Sequence, residues 1–381
     1  MEVAIAVRHT VARVHLPALQ ANYRTITELT IEAARASQRQ PPQIIAVVKA
    51  NAYGHGATRV AGALEAAGAS MLACADIEEG IELRRDAIRV PILIFGALGI
   101  SDLDGVFAYR LTPTISTPTA AQNLARAAAA RGERLHCQLK IDTGMNRLGF
   151  RHDNLRRTLP AIAQSRHLAI DAVYTHFATA DDPESGDFVC QRERFEAARR
   201  LVAEVGLHPA KAHAANSAAL LRDEQVWYDA VRPGLLLYGV VPPPLATTLE
   251  IAPVLSLTSR IVAVKGLRPG EGVGYGLRYR PERPSTIAVV PAGYADGLDA
   301  RLAGRASVLV RGRRVPIVGA VSMDMITIDV TALDVAPGDE VVILGRQGAE
   351  RIDVREMAAA VGAAPYELLC RLGSRIDRVY L

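Results

Sequence analysis

The chain is poor in lysine, and one of its few lysines follows a run of apolar residues. Only four of the 44 basic residues are lysines, at positions 49, 140, 211 and 265. Lys49 follows the run Ile44–Val48, which is typical of a buried strand. A buried ammonium group without a partner is costly, and desolvation lowers the pKa of a lysine. The Lys49 amine is therefore a candidate nucleophile that could form a Schiff base with an aldehyde, which an arginine could not do.

Other residues with reactive or polar side chains follow further apolar runs. Taken singly, each has an ordinary explanation, such as a hydrogen-bonded core histidine, a helix cap or a surface ion pair. Five apolar runs in this chain are each followed by such residues, which favours one common site over five separate explanations. The residues are Lys49 with Tyr53 and His55, the segment 142–147 ending in Arg147, His176, Asn216 with Ser217, and Arg232 with Gly234.

The elements that must position these residues alternate regularly. Between Leu16 and Gly239, short β-branched runs alternate with alanine-rich segments of helical period, a rhythm typical of βαβ units. The predicted strands are 44–49, 71–75, 91–95, 112–116, 135–141, 170–176, 210–214 and 229–231. Eight such units predict an α/β fold of the (β/α)₈ TIM-barrel type, in which the carboxyl ends of the strands form the active site. A doubly wound open sheet is the alternative, but no GxGxxG follows the first strand.

A second domain is predicted after the barrel. The proline cluster in YGVVPPPLATTLE marks a boundary, and short alternating runs with turn signals follow it, which predicts a mostly antiparallel β domain. We place the barrel at residues 13–243 and the β domain at residues 244–381, and we expect residues 1–12 to pack with the latter.

Composition argues against several classes of protein. The net charge is +4, but basic and acidic residues are interspersed, so nucleic acid is not an expected partner. The four cysteines lie far apart and form no CxxC pair, which argues against a metal site or a disulfide framework. Neither a leader sequence nor an apolar run of ~18 residues is evident, so we expect a cytoplasmic protein without membrane contact.

The polar set suits a phosphorylated aldehyde. The Ser217 hydroxyl, tyrosine hydroxyls and the backbone N–H groups around Gly234 and Leu235 could bind a phosphate. His176 offers a flat face for stacking, and Arg232 offers a fixed positive charge. Pyridoxal phosphate, linked to Lys49, fits these residues.

Eight ordered segments now identify a resemblance. In chain order they are AVVKANAYGHG, DTGMNRLGF, HAANSAAL, VRPGLLLYG, GVGYG, AGYADG, VGAVSMDM and PYELLCRLGSRIDRVY. Together they resemble the alanine racemase family from one end of the chain to the other. One departure is Ser322 in SMDM, where many relatives have cysteine.

The resemblance implies a pyridoxal phosphate enzyme that interconverts L-alanine and D-alanine in a homodimer with shared active sites. Lys49 would hold the cofactor and act as one acid/base, and Tyr275 of the other subunit would be the opposing one. Racemisation needs two such groups because a single base tends to return the proton to the face it left. Supply of D-alanine for peptidoglycan precursors and breakdown of alanine both remain open as its role.

The resemblance also implies roles for the remaining site residues. Tyr53, Ser217, Tyr366, Gly234 and Leu235 would bind the phosphate, with Asn216 beside them. Arg232 would face the pyridine nitrogen, and His176 would stack on the ring. Arg147 would reach the ring hydroxyl and the substrate carboxylate, the backbone near Met323 and Asp324 would complete carboxylate binding, and Tyr294 would narrow the entrance. Lys140 would be carbamylated and orient Arg147, although an ion pair with Asp142 would also explain it.

Three other functions are compatible with parts of this pattern. A broad-specificity racemase acting on serine or lysine would share most of these segments. A decarboxylase of the same two-domain plan would pair the ring nitrogen with an acid, whereas this chain has Arg232. A pyridoxal phosphate carrier would be a single barrel and would lack the residues that follow the barrel.

Overall fold

The computed structural model describes residues 9–98 and 103–381. The apolar run at residues 2–7, which could add a strand to the second domain, lies outside the described residues. Within them, two sheets organise the chain. No helix among the described residues is long and apolar enough to cross a membrane.

Eight parallel strands of the described chain close into a barrel. They are Gln43–Val47, Met71–Cys74, Ile92–Ile94, Thr112–Ile115, Leu135–Asp142, Leu168–Tyr174, Lys211–Asn216 and Ala230–Arg232. The last strand pairs with both Gln43–Val47 and Lys211–Asn216, and the fourth pairs with the fifth, so the ring has no open edge. A short strand, Phe150–Arg151, pairs with the end of Leu135–Asp142. The TIM-type barrel predicted from the sequence is confirmed.

Helices surround the barrel and connect its strands. They are Leu16–Ala36, Ala57–Ala66, Ile77–Arg85, Asp104–Ala108, Pro118–Arg131, Leu155–Thr158, Pro160–Ala163, Asp187–Glu204 and Ser217–Arg222. Local sequence explains several of their ends. The Thr117 hydroxyl accepts the Ala120 amide at 3.1 Å as an N-cap, and Gly132 ends the same helix with a φ of 65°.

The second sheet is mostly antiparallel and belongs to the C-terminal part of the chain. Its strands are Val11–Val14, Leu255–Arg260, Ala263–Leu267, Ser285–Val290, Ser307–Val310, Arg313–Val318, Ile326–Asp329, Glu340–Gln347, Glu350–Ile352 and Asp377–Tyr380. Two helices, Val354–Val361 and Pro365–Cys370, lie in the same region of sequence. The antiparallel domain predicted from the alternating runs is confirmed.

The N-terminal strand ties the two ends of the chain together. Val11–Val14 pairs antiparallel with Leu255–Arg260 and parallel with Asp377–Tyr380. These residues therefore lie in the second sheet, and the predicted start of the barrel domain at residue 13 falls inside this strand.

The predicted barrel strands agree with the observed ones to within two residues at every end. One difference matters for chemistry. We expected Lys49 to end the first strand, but that strand ends at Val47 and Lys49 begins a tight turn. The prediction for its position was wrong because the apolar run continues through Val48 after regular pairing has stopped.

Candidate active site

A cavity of about 530 Å³ lies at the carboxyl ends of the barrel strands. Most residues predicted for the site line it, although they come from distant parts of the sequence. These are Lys49, Tyr53, Lys140, Arg147, His176, Asn216, Ser217, Arg232, Gly234, Leu235 and Tyr366. Tyr366 lies on the helix Pro365–Cys370, so the C-terminal domain contributes to the cavity wall.

Lys49 is followed by a left-handed turn. Ala50, Asn51, Ala52 and Tyr53 all have φ between 52° and 54°. For residues with a Cβ atom this conformation costs roughly 1–2 kcal/mol per residue. Strain of this kind persists only where surrounding contacts hold it, and it is common at functional sites. The turn reverses the chain directly after the strand, so that both Lys49 and Tyr53 line the cavity.

The surroundings of Lys49 weaken its hold on a proton. Desolvation lowers the pKa of Lys49, and the positive charge of Arg147 lowers it further, with a smaller effect from Arg232. A larger fraction of the amine is therefore neutral near physiological pH than for an exposed lysine. A neutral amine is the form that attacks an aldehyde or accepts a proton.

Arg232 is fixed in a buried network. It is 3 % exposed, and its Nη2 donates to the carbonyl oxygens of Thr175 at 2.8 Å and Ala214 at 2.9 Å. Its Nη1 donates to Nδ1 of His213 at 2.7 Å. Nε2 of His213 must then carry the proton that it donates to Oε1 of Gln138 at 2.8 Å. Burial lowers the pKa of Arg232 to about 10, so the guanidinium remains charged at neutral pH.

His176 adjoins this network. Nη2 of Arg232 lies 3.3 Å from Nδ1 of His176. Desolvation lowers the pKa of His176 well below its usual value, and the Arg232 charge adds to the effect. The imidazole is therefore neutral, and it lines the cavity.

A second group of residues forms a small polar pocket suited to an anion. The Ser217 hydroxyl accepts the backbone amides of Gly234 at 2.9 Å and Leu236 at 3.3 Å. A Cβ atom at Gly234 would lie 2.5 Å from Oη of Tyr53, so only glycine allows the tyrosine hydroxyl to come this close. Asn216 caps the next helix by accepting the Ala219 amide at 2.9 Å. Hydroxyls and turn amides thus converge beside Lys49.

Lys140 and Arg147 line the same cavity from the fifth strand and the loop after it. Desolvation lowers the pKa of Lys140 to about 8, with further contributions from Arg147 and Arg232. Oδ1 of Asp142 accepts the amides of Gly144 and Asn146, each at 3.0 Å, and so organises the loop that carries Arg147. Among the described residues Asp142 makes no direct ion pair with Lys140, although its charge favours the protonated form of the lysine.

His55 is buried outside the cavity, with its Nδ1 at 3.0 Å from the Ala52 carbonyl oxygen and 2.9 Å from that of Tyr53. Four further predicted site residues do not line the cavity either. Tyr275, Tyr294 and Met323 are exposed on the C-terminal domain, Tyr275 by 77 %. Asp324 pairs with Arg375 at 2.6 Å. Two of the four lie close together, because the Tyr294 amide donates to Ser322 and the next amide donates to Met323. Within one chain, these residues do not reach Lys49's cavity.

Among the residues that sequence reasoning missed are Tyr174, which lines the cavity, and Glu79, which lies behind it. Tyr174 lines the cavity, with its ring stacked on His213 at a centroid distance of 4.7 Å. It lies two residues before His176, and the period of a strand could have placed both on one face. Glu79 accepts the Ala50 amide next to Lys49. In the sequence, its position three residues after the N-cap Asp76 predicts only the start of a helix and gives no sign of this contact.

The fold and site define a class of enzyme with two domains, in which a barrel presents a desolvated lysine amine beside an anion pocket. Family models agree with this class. Residues 14–242 match the model described as "Alanine racemase, N-terminal domain" and residues 254–380 match "Alanine racemase, C-terminal domain". The chain belongs to the alanine racemase family, whose members are amino-acid isomerases.

Individual relatives support this assignment over the whole chain. The chain is 40% identical to an alanine racemase of Symbiobacterium thermophilum over 98% of its own length and 97% of that protein. A solved alanine racemase from Streptomyces lavendulae superimposes with a TM-score of 0.93 at 32% identity, covering 99% of this chain and 98% of that one. A Bacillus anthracis alanine racemase with bound L-Ala-P has a TM-score of 0.89 at 33% identity, with 99% and 96% covered.

Proposed function

We propose that this chain interconverts L-alanine and D-alanine with pyridoxal phosphate bound to Lys49. The observation that carries the proposal is the half-buried Lys49 amine, whose pKa is lowered, in a cavity that also holds an anion pocket. The relative from Bacillus anthracis, which holds L-Ala-P, supports an amino-acid substrate for this cavity.

The residues present fit this cofactor. The Ser217 and Tyr53 hydroxyls and the Leu235 backbone amide would be donors for a phosphate, whereas the Gly234 and Leu236 amides already donate to Ser217. The missing side chain at Gly234 lets the Tyr53 hydroxyl approach the same turn. Tyr366, Asn216 and Leu235 complete this part of the wall. Pyridoxal phosphate, when bound, supplies an electron sink that acidifies the Cα–H bond of an amino acid.

Other residues would orient the ring and the substrate. Arg232, fixed by two carbonyl oxygens and His213, would present a permanent positive charge to the ring nitrogen. The neutral His176 face would stack on the ring. The Arg147 guanidinium would hold the substrate carboxylate, and a carbamate on Lys140 would orient Arg147.

Two proton carriers on opposite faces are required. Lys49 would accept or return the proton on one face of the substrate Cα. Tyr275 would do so on the other, delivered by a second copy of the chain, in which Met323, Asp324 and Tyr294 would also reach the substrate side. Tyr275, Tyr294 and Met323 are exposed in one chain, so they would be accessible to a second copy.

The first experiment is direct. Purified holoenzyme is incubated with L-alanine, and D-alanine is followed by chiral chromatography. We expect equal amounts of both enantiomers at equilibrium. A protein that carries pyridoxal phosphate but forms no D-alanine would contradict the proposal.

Parallel reactions distinguish the alternatives. D-serine or D-lysine formation at a rate similar to that of D-alanine would indicate a broad-specificity racemase. Release of carbon dioxide with loss of substrate would indicate a decarboxylase. The buried Arg232, in place of an acid, argues against the decarboxylase.

A further inference from the structure

The Glu79 carboxylate bridges the ends of the first two barrel strands. Its Oε1 accepts the Ala50 amide at 2.6 Å, and its Oε2 accepts the Ala75 amide at 2.7 Å. Ala50 directly follows Lys49, and Ala75 directly follows the strand Met71–Cys74. Glu79 itself is not among the cavity-lining residues. It therefore contacts the backbone beside Lys49 and not the reacting groups.

The segment that Glu79 binds is the left-handed turn. Bonds inside this turn join Gly54 to Ala50 at 3.0 Å and the Ala57 amide to the Asn51 side chain at 2.7 Å. These bonds close the turn but do not attach its first residue to the barrel. The Ala50–Glu79 bond makes that attachment, at the end nearest Lys49.

The helix that carries Glu79 is a firm support. Asp76 caps it by accepting the Glu79 amide at 2.9 Å, and Ile77 and Leu83 are buried beneath it. The other end of the turn is held from the C-terminal domain, where Nε of Arg378 donates to the Gly54 carbonyl oxygen at 3.1 Å. The turn is thus held at both ends, and Glu79 holds the end that aims Lys49.

We propose that Glu79 is a positioning residue that keeps the backbone after Lys49 left-handed and thereby directs the Lys49 amine into the cavity. The inference rests on the proposed catalytic role of Lys49. Without the carboxylate, Ala50 can relax to a right-handed or extended conformation that its Cβ atom favours. The amine would then leave its productive position, and small misplacements of a reacting group are costly.

The test compares Glu79→Ala, Glu79→Gln and the control Glu78→Gln, which changes an exposed residue of the same helical turn. We expect Glu79→Ala to lower kcat for alanine about 10²-fold, with KM changed less than about threefold. Glu79→Gln should lose less, because its amide oxygen still accepts one of the two bonds. The control should match the wild type.

A second readout does not depend on catalysis. Hydrogen exchange at the Ala50 amide should be at least tenfold faster in Glu79→Ala than in the wild type, with and without pyridoxal phosphate. Adding Ala50→Gly to Glu79→Ala should recover part of kcat, since glycine accepts the left-handed conformation without a side-chain penalty.

The alternatives give different results. If Glu79 acts through its charge on Lys49, both substitutions lower kcat equally, the pH profile shifts and Ala50→Gly gives no recovery. That outcome, or wild-type kcat and exchange in Glu79→Ala, would overturn the positioning role. A wild-type protein that forms no D-alanine would instead refute the proposed function, while the exchange data would still report on the turn.

Discussion

Most basic residues of this chain are arginines, so the need for a lysine at position 49 can be tested by substituting arginine there. Arginine keeps the positive charge but cannot act as a neutral amine near pH 7. We expect Lys49→Arg to lower D-alanine formation on the order of 10²–10⁴-fold, the usual contribution of a proton-transferring group. Chiral chromatography measures the loss, and Lys265→Arg, at an exposed site, is the control. A Lys49→Arg enzyme with more than a tenth of the wild-type rate would contradict the role.

Lys140 should leave a signature in the pH dependence of stability. Its pKa is about 8 in the folded chain, below the ~10.4 of an unfolded lysine, so the unfolded state binds the proton more tightly. The charged lysine therefore destabilises the fold below pH 8, and this cost disappears as the pH rises towards 10.5. We expect Lys140→Met to raise the free energy of unfolding by up to ~3 kcal/mol at pH 7, and by less at pH 9.5.

Urea unfolding in buffers free of carbon dioxide measures this difference, with Lys265→Met as the control. In bicarbonate, a carbamate on Lys140 would reverse the sign of the stability change caused by Lys140→Met. The wild type would then hold an anion that the positive charge of Arg147 stabilises. Lower stability of Lys140→Met in bicarbonate alone would support the carbamate. Lower stability in both buffers would contradict the lowered pKa.

At the scale of elements, regular structure was predictable and the turn after Lys49 was not. Apolar, largely β-branched runs such as 44–48 locate strands because burial on both faces needs no alternation. Two of the four residues 50–53 are alanine, which favours right-handed helix, yet all four are left-handed. Contacts from Glu79 and Arg378, distant in sequence, determine that conformation. The cavity residues were predictable because the ends of the barrel strands converge. Glu79 was not, because it binds backbone amides, and a sequence pattern does not show which amides a side chain will bind.

Two glycines of neighbouring elements should respond oppositely to alanine. Gly54 ends the left-handed turn with a φ of 81°, and a Cβ atom there would lie 2.2 Å from the Leu369 carbonyl oxygen. Gly62 lies inside the helix Ala57–Ala66, with nothing within 4 Å of an added Cβ. We expect Gly54→Ala to cost at least ~2 kcal/mol in unfolding free energy and Gly62→Ala to add ~0.5–1 kcal/mol. Urea unfolding of the pair measures both, and equal effects would contradict the packing described here.

For the whole molecule, the C-terminal domain has two relations to the site. Its helix Pro365–Cys370 contributes Tyr366 to the cavity of its own chain and packs Leu369 against Gly54. Its exposed residues Tyr275 and Met323 do not line that cavity. This combination is expected in a symmetric dimer in which the C-terminal domain of each copy would add residues to the active site of the other copy.

Mixed dimers test this exchange. If Lys49 of one copy works with Tyr275 of the other, Lys49→Ala and Tyr275→Phe are each inactive alone. A heterodimer of the two has one site with both substitutions and one site with neither. Random assembly from equal amounts makes half of the dimers heterodimers, so the mixture should regain roughly a quarter of the wild-type activity.

The variants carry different tags, and heterodimers are purified after joint refolding. D-alanine formation per heterodimer should approach half that of the wild-type dimer. Two copies of a single variant refolded in the same way provide the baseline. If the catalytic pair came from one chain, every heterodimer site would contain one substitution, and activity would stay at that baseline. Recovery would therefore show that Tyr275 of one copy acts together with Lys49 of the other on the same substrate, so that the exposed tyrosine and the left-handed turn after Lys49 would be two parts of one site.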